Sequence, residues 1–225
     1  MRRSRQSRER RLSHSVTRRF HPKDCAVPTV DVARHARDAY SVPVNMLLRT
    51  LLTVLLAGRK PPLDMHEVGY KRMRVLPNDL DTQKHVNNGV YLSLMDLGRI
   101  ELLVRTGAWG RMRAAGIYPV IASETITFRK SLQLWQRYVL ETRIVGYDAK
   151  AVYIEQRFVV DGEIYVQAFL RGRFLKKTGG VVGLSELSEV LGIAVRELEL
   201  PEWIDRWAQD VALPSTRAEA PSVWS

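Results

Sequence analysis

The chain has 225 residues, of which 45% are hydrophobic, 26% charged and 8% aromatic, a balance typical of a globular protein and not of a fibrous one. The net charge of +11 is uneven, because residues 1–43 carry eleven Lys and Arg against four Asp and Glu, whereas the other 24 basic and 20 acidic residues nearly cancel. A near-neutral body argues against nucleic acid as a partner, and a single cysteine, Cys25, excludes an intramolecular disulfide and a cysteine-based zinc site.

Residues 1–43 are predicted to form a basic, disordered extension that is solvated or touches acidic polymers or anionic lipid. The Arg-rich, Ser-containing composition is similar to that of an organellar transit peptide, but the regular apolar face of such a helix is missing. In a further interpretation the working protein begins near Met46, and the preceding residues are dispensable.

Residues 44–66 are predicted to form a short apolar helix followed by a Pro-containing linker. Paired leucines recur through residues 46–58 and form a wide apolar stripe, with Arg49 and two threonines on another side. The stripe either packs on the protein or a partner, which we favour, or makes a peripheral membrane contact with cationic flanks at the headgroups. The run is shorter than the roughly 18–20 residues that a membrane span requires.

Residues 67–177 carry one strand, one long helix and then four strands, which predicts an α+β domain. The predicted helix covers Gly89 to Thr106 and is apolar on nearly every side, so we expect it to be buried. It fits along one face of a five-stranded antiparallel sheet that wraps around it, with Gly98 allowing close approach. The strands are predicted at Val68–Leu76, Ala122–Lys130, Arg137–Tyr147, Ala151–Val160 and Glu163–Lys176.

Residues 178–225 are predicted to form two C-terminal helices and a tail. The helices cover Leu184–Leu191 and Glu202–Val211. Trp203 and Trp207 lie four residues apart on one face of the second helix, so we expect this region to cover the sheet or a neighbouring subunit.

The loop before the long helix carries a recognisable motif, Asp-Leu-Asp-Thr-Gln-Lys-His-Val-Asn-Asn-Gly-Val-Tyr-Leu, over residues 79–92. It resembles the loop-to-helix motif of the 4-hydroxybenzoyl-CoA thioesterase-like hotdog family, in which an Asp precedes a His-Val-Asn-Asn-x-x-Tyr run. The resemblance covers about residues 67–177, and one lineage of that family is also similar in its Leu-rich lead-in and its Pro201-Glu202-Trp203 tail.

The resemblance implies a hotdog fold and a thioesterase that acts on acyl-CoA or acyl-carrier-protein thioesters. It also implies a homodimer or a dimer of dimers, Asp81 as the catalytic carboxylate, and no cofactor apart from the coenzyme A of the substrate. The single cysteine fits a reducing compartment, so we predict a cytoplasmic enzyme, with peripheral membrane contact through residues 46–58 as a further possibility. A non-catalytic acyl-binding or membrane-associated scaffold of the same fold is the rival function.

The residues of the motif also suit this chemistry directly. Thioester hydrolysis needs a base or nucleophile and hydrogen-bond donors aimed at the developing oxyanion. A helix N-terminus at Asn88 and Gly89 would present such donors, and Asp81 can fold back beside it. The predicted catalytic residues are Asp81, His85 and Asn87.

Each catalytic assignment has a structural alternative. Asp81 could close an Asx turn, and His85 could stabilise the loop as a hydrogen-bond donor instead of acting as a general acid. Asn87 could orient Asp81 or a water molecule, and Asn88 could be the helix N-cap. We reject a metal at Asp79, Asp81 and His85, because the set lacks a second His or a Cys. Acidic residues on the helix itself, Asp96 and Glu101, are rival positions for the chemistry, with Asp96 expected to pair with Arg99 and Glu101 to be buried.

Substrate binding is assigned to residues around the helix start and to a basic strand end. The basic groups at this strand end could hold a coenzyme A phosphate, although a solvated strand end explains them equally well. The predicted substrate-binding residues are Asn88, Gly89, Tyr91, Arg129 and Lys130.

We expect deletion of residues 1–43 to leave folding and any thioesterase activity intact, because the apolar periodicity and the motif lie beyond them. Thermal unfolding of the truncated and full-length chains, with turnover measured beside it, checks this. A large loss of thermal stability in the truncated chain would contradict it.

Overall fold

The computed structural model describes residues 44–192, 198–215 and 218–222. The predicted extension of residues 1–43 therefore lies outside the described residues. The helices are α1 (Val44–Ala57), α2 (Asn88–Arg105), α3 (Ala108–Ala114), α4 (Leu184–Leu191) and α5 (Glu202–Asp210), with a short 3-10 helix at Pro77–Asp79. The strands are β1 (Gly69–Arg74), β2 (Ile117–Phe128), β3 (Arg137–Asp148), β4 (Ala151–Val160) and β5 (Glu163–Lys176).

The five strands form one antiparallel sheet in the order β1-β3-β4-β5-β2. Together with α2 on one face this confirms the predicted fold class, a long helix wrapped by a five-stranded sheet. Strand β2 begins at Ile117, five residues earlier than predicted, and pairs with β5 through a register shift between Ile121 and Ser123. The proline at position 119 hides this extension in the sequence, but a proline is tolerated on an edge strand.

The core lies between α2 and the sheet. Leu94, Met95 and Leu97 of α2 are almost fully buried and pack against side chains of β3, β4 and β5. A buried amide, Gln156, crosses this interface and donates from Nε2 to the Met95 carbonyl at 3.0 Å and to Thr142 Oγ1 at 2.9 Å. The sheet is thereby hydrogen-bonded directly to the backbone of the helix.

Charged side chains join α2 to β1 and to the linker after α1. Glu101 is buried, as predicted, and its carboxylate accepts from Lys60 Nζ at 2.5 Å and from Lys71 Nζ at 2.9 Å. Burial by itself would raise the pKa of this carboxyl, but the two lysine hydrogen bonds outweigh it and hold the pKa below its usual value. Glu101 therefore links α2 to β1 and to the linker after α1 through two ion pairs.

The first helix, α1, packs beside α2 but with the opposite face from the one predicted. Thr53 and Ala57 are buried, and Met46 packs against the core. The leucines face away from the described part of the chain. The favoured prediction, that they pack on the protein or a partner, is therefore wrong for the described residues of the protein itself, and packing on a partner stays a prediction. The reason for this orientation of the leucines is an ion pair between Arg49 and Asp79, which fixes the rotation of the helix.

The C-terminal helices lie on opposite sides of the sheet. In α4, Leu187 and Leu191 pack with α3 and line the space beside α2. In α5, Ile204 and Ala208 pack on Tyr153, which points to the other face because neighbouring strand residues alternate. Both helices match the predicted positions, and α5 covers the sheet as expected. Among the α-helices in the described ranges, α3 alone was not predicted, since its seven residues are too few to show a clear periodicity.

Gly98 gives the first test of the packing. A Cβ at this position would lie 2.7 Å from Thr142 Oγ1 and 2.8 Å from Leu140 Cδ2, so the predicted close approach of helix and sheet is confirmed. We expect Gly98→Ala to lower the free energy of unfolding by about 1–3 kcal/mol through overpacking. The matched control is Gly110→Ala in α3, where a Cβ meets nothing within 4 Å. Denaturant unfolding measures both, and equal effects of the two variants would contradict the prediction.

Candidate active site

The segment from Asp79 to Asn87 folds back on itself before α2. Leu80 and Val86 form an antiparallel bridge. The Asp81 N–H donates to the His85 carbonyl at 2.8 Å, and the Asn87 N–H donates to the Asp79 carbonyl at 2.9 Å. This register places Asp79 opposite Asn87, next to the start of the helix, and Asp81 opposite His85. Because the segment folds back, Asp81 lies two residues, or about 7 Å, further from the helix start than Asp79.

Asp79 anchors this loop. Its side chain is 1% exposed and pairs with Arg49 in bidentate geometry, Nη1 to Oδ1 at 2.8 Å and Nη2 to Oδ2 at 3.0 Å. Oδ2 also accepts from the Leu76 N–H at 2.8 Å. Both carboxylate oxygens are therefore engaged structurally. The sequence marked Asp79 only as a rejected metal ligand and gave no sign of its partner thirty residues earlier.

Asp81 is partly exposed, with 29% of its side chain accessible. Oδ1 accepts from the Gln83 N–H at 2.8 Å and from the His85 backbone N–H at 3.4 Å, so the predicted Asx turn is present. For Oδ2 we find no partner in the described part of the chain. The carboxylate thus combines one oxygen that is engaged in the turn with one that has no partner among the described residues.

His85 lies next to Asp81 and is held through its backbone. Its Nδ1 is 3.6 Å from Asp81 Oδ1, and its main chain bridges to Gln133. These contacts place the imidazole beside the carboxylate that it would assist, and they equally support the loop-stabilising role.

The start of α2 differs from the prediction by one residue. Asn87 is the N-cap, because its Oδ1 accepts from the Gly89 N–H at 2.8 Å, while its carbonyl accepts from the Val90 N–H at 2.9 Å. The alternative that Asn88 is the N-cap is therefore wrong, and the Gly89 N–H is already satisfied. Among the first-turn donors, the Asn88 N–H is left without an acceptor in the residues that the structure describes. Of the two predicted oxyanion donors, Asn88 and Gly89, only the Asn88 N–H is therefore still available.

Tyr91 lies in the core and not at an open surface. Its side chain is 1% exposed, and its ring makes edge-to-face contacts with Phe128 and Phe158. The hydroxyl accepts from the Leu132 N–H at 3.1 Å, and burial raises the pKa of the phenol. The structure therefore gives Tyr91 a structural role, pinning the segment after β2 to the helix, in place of the predicted substrate contact.

Arg129 and Lys130 remain at the surface and share one partner. Arg129 Nη2 is 2.8 Å from Glu163 Oε1, and Lys130 Nζ is 2.6 Å from Oε2 of the same carboxylate. All three side chains are solvent-accessible, so the pairing contributes little to stability. A phosphate could displace the carboxylate at small cost.

A cavity of about 180 Å³ opens beside the C-terminal half of α2. Its walls are almost entirely apolar, and Gly172 of β5, which lacks a side chain toward the helix, widens it. Asp96 and Arg99, which form the predicted ion pair, line it with their polar groups, and Arg99 Nη1 also donates to Gln156 Oε1 at 2.6 Å. Further lining residues are Met65, Leu103, Trp109, Met112, Ile121, Ile144, Val152, Phe174, Leu187 and Leu191.

The sequence motif and this cavity are separate in a single chain. None of residues 79–89 lines the cavity, and Asp96 lies eight residues after Asn88, about 12 Å along the helix. Sequence reasoning missed the cavity because its lining comes from three helices and four strands, which only the fold brings together. The spacing of Trp109 and Met112, three residues apart on α3, was the available signal.

Comparisons with known proteins agree with this fold. The model of the Thioesterase-like superfamily matches residues 75–208. Protein THEM6 of Xenopus laevis is 36% identical over 158 residues, which cover 69% of this chain and 73% of that protein. Protein THEM6 of Danio rerio is 38% identical over 97 residues, covering 43% of this chain and 48% of that protein.

Solved structures give the same fold. YbaW, a probable thioesterase from Escherichia coli, superposes with a TM-score of 0.51 at 23% identity, covering 54% of this chain and 95% of that one. The hypothetical protein TT1821 from Thermus thermophilus also has a TM-score of 0.51, at 18% identity, and the match covers 58% of this chain and 100% of that one. Since the family model spans more than half of the sequence and the Xenopus relative is matched over most of its length, the chain belongs to the thioesterase-like superfamily.

Proposed function

We propose that the protein is a thioesterase that hydrolyses acyl-CoA or acyl-carrier-protein thioesters to the free acid and the thiol. The observation that carries this proposal is the apolar cavity beside α2, in a chain of the thioesterase-like superfamily. A cavity of about 150 Å³ with aliphatic and aromatic walls binds benzene. The cavity of about 180 Å³ is thus large enough for an acyl segment of roughly six carbons.

The chemistry is assigned to the loop before α2. Asp81, through its open Oδ2, takes a proton from water while the water oxygen bonds to the acyl carbon, or attacks that carbon itself. The carbonyl oxygen becomes an oxyanion, which the Asn88 N–H and the positive end of the helix stabilise. When the intermediate collapses, the carbon–sulfur bond breaks, and the proton that Asp81 took from water passes to the leaving sulfur. On the nucleophilic route the thiolate leaves first, and water then hydrolyses the acyl–Asp81 anhydride, which frees the carboxylate of Asp81 and supplies the proton of the thiol.

The neighbouring residues support this assignment in different ways. Asn87 holds the helix start in place through its cap, and His85 lies close enough to influence the Asp81 carboxylate. Arg129 and Lys130 are proposed to exchange Glu163 for a phosphate of coenzyme A, since exposed ion pairs are weak.

We expect Asp81→Asn to lower turnover of the best thioester by at least about 100-fold, the usual contribution of a general base. Asparagine keeps the size of the side chain and the oxygen that accepts from the Gln83 N–H, so the turn and substrate binding survive. A screen of acyl thioesters by mass spectrometry identifies the substrate, and steady-state kinetics measures the variant. Turnover within about threefold of the natural chain would overturn the assignment, because the difference of about 0.65 kcal/mol is too small for a primary catalytic group.

The matched control is Asp96→Asn, which removes the carboxylate that lines the apolar cavity. Asp96 pairs with Arg99, so we expect stability to fall more than activity per folded molecule. If Asp96→Asn abolished turnover while Asp81→Asn did not, the chemistry would lie at the cavity. If the natural chain bound acyl-CoA without turnover, the rival function of a non-catalytic acyl-binding scaffold would replace this one.

We further propose that the working unit is a homodimer or a dimer of dimers. Strand β2 is a twelve-residue edge strand with Tyr118, Ile121 and Phe128 exposed, and such edges favour pairing with another chain. Sedimentation velocity at micromolar concentration tests this, with an assembly of at least two chains expected. A monomer at that concentration would contradict it.

A further inference from the structure

Among the elements that the structure describes, α1 carries the most exposed large hydrophobic residues, and all of them are leucines. Six side chains on this helix are 46–61% exposed, whereas the opposite side of the helix is packed. We call these six exposed side chains the leucine face: Leu47, Leu48, Leu51, Leu52, Leu55 and Leu56.

The exposure of the leucine face is built into the fold. Arg49 projects from the other side of α1 into its bidentate contact with the buried Asp79. Thr53 and Ala57 follow on that side at helical spacing and are also buried. Turning the leucines inward would break the ion pair and leave the buried Asp79 carboxylate without its cation, at a large cost in free energy.

The composition of the leucine face distinguishes between occupants. Protein interfaces are enriched in aromatic residues, Met and Arg, and leucine is under-represented among their energetic centres. The leucine face consists of leucine alone and lies on a single helix. Leucine partitions favourably from water into a bilayer without needing a complementary pocket.

Length and charge fit a helix that lies in the plane of a membrane. Fourteen residues span about 21 Å, less than the roughly 30 Å of a bilayer core, and no helix in the described ranges is long and apolar enough to cross one. Between residues 44 and 62 there is no Asp or Glu, and Arg59 follows the helix, whereas the neighbouring Lys60 is held by Glu101. Cations beside an apolar face are complementary to anionic headgroups.

We infer that α1 docks its leucine face into the interface of a lipid bilayer and that anionic lipid strengthens this contact. The inference rests on the surface of α1 and is independent of the proposed thioesterase activity. It makes the protein a peripheral membrane protein whose apolar cavity and membrane contact both lie alongside α2.

The test is co-sedimentation of the full chain with vesicles of phosphatidylcholine, and of phosphatidylcholine mixed with phosphatidylserine. The test variant carries Leu47→Gln, Leu51→Gln and Leu55→Gln together, since glutamine keeps the helix propensity. On phosphatidylcholine alone, where attraction of the basic residues 1–43 is weakest, we expect the partition coefficient to fall about tenfold or more. The matched control, Leu213→Gln, changes a leucine that is 86% exposed outside α1 and is expected to bind as the natural chain does.

Other occupants of the leucine face give different results. Binding of the triple variant within about twofold of the natural chain would overturn the inference. A lower assembly mass of the triple variant in solution would mean that the face contacts a second copy, and would overturn it as well. If the chain bound vesicles only after deletion of residues 1–43, that segment would be the occupant, and the inference would again be wrong. Thermal unfolding is expected to be unchanged in the triple variant, because the replaced side chains are exposed.

Discussion

The bidentate ion pair between Arg49 and Asp79 is the interaction on which the arrangement of α1, the loop before α2 and the start of α2 depends. The carboxylate is almost fully buried, so its desolvation cost is met only while the guanidinium stays in place. The same aspartate accepts the Leu76 N–H through its side chain and the Asn87 N–H through its carbonyl. One pair of side chains therefore fixes the entry to the loop, the cap of α2 and the rotation of α1. The leucine face points outward as a direct consequence.

The second constraint is the uneven distance between α2 and the sheet. At Gly98 the helix backbone lies so close to Thr142 that a methyl group does not fit, and Gln156 ties the two layers with hydrogen bonds. Beyond this point the layers enclose a cavity instead, partly because Gly172 provides no side chain on the facing strand. A rigid contact in the middle of the helix thus separates a packed N-terminal half from an open C-terminal half. The two halves suit different tasks, since chemistry needs fixed groups and a flexible acyl chain needs apolar space.

The loop before α2 shows how a structural hydrogen bond can engage one atom of a side chain and leave another without a partner. Asp81 closes a turn with Oδ1 and leaves Oδ2 open, while Asn87 satisfies Gly89 and thereby leaves Asn88 as the available donor. In both cases the local hydrogen bond fixes the geometry of the group beside it. The separation between this loop and the cavity within one chain is consistent with the proposed working unit of more than one chain.

The sequence by itself determined the order of elements, the antiparallel sheet, the buried helix and the loop motif, because these follow from periodicity and turn residues that act over short distances. It also placed Gly98 at a close contact and Glu101 in the interior, since a glycine and an acid in an otherwise apolar helix each need a specific explanation. The tertiary structure alone decided that Tyr91 is a core residue, since its hydroxyl partner at Leu132 is forty-one residues away. It also decided which face of α1 is buried: apolar periodicity favoured the leucines, but a buried carboxylate thirty residues along the chain required Arg49. A short pattern records the propensity of a segment, whereas the choice between its two faces depends on partners that only folding brings together.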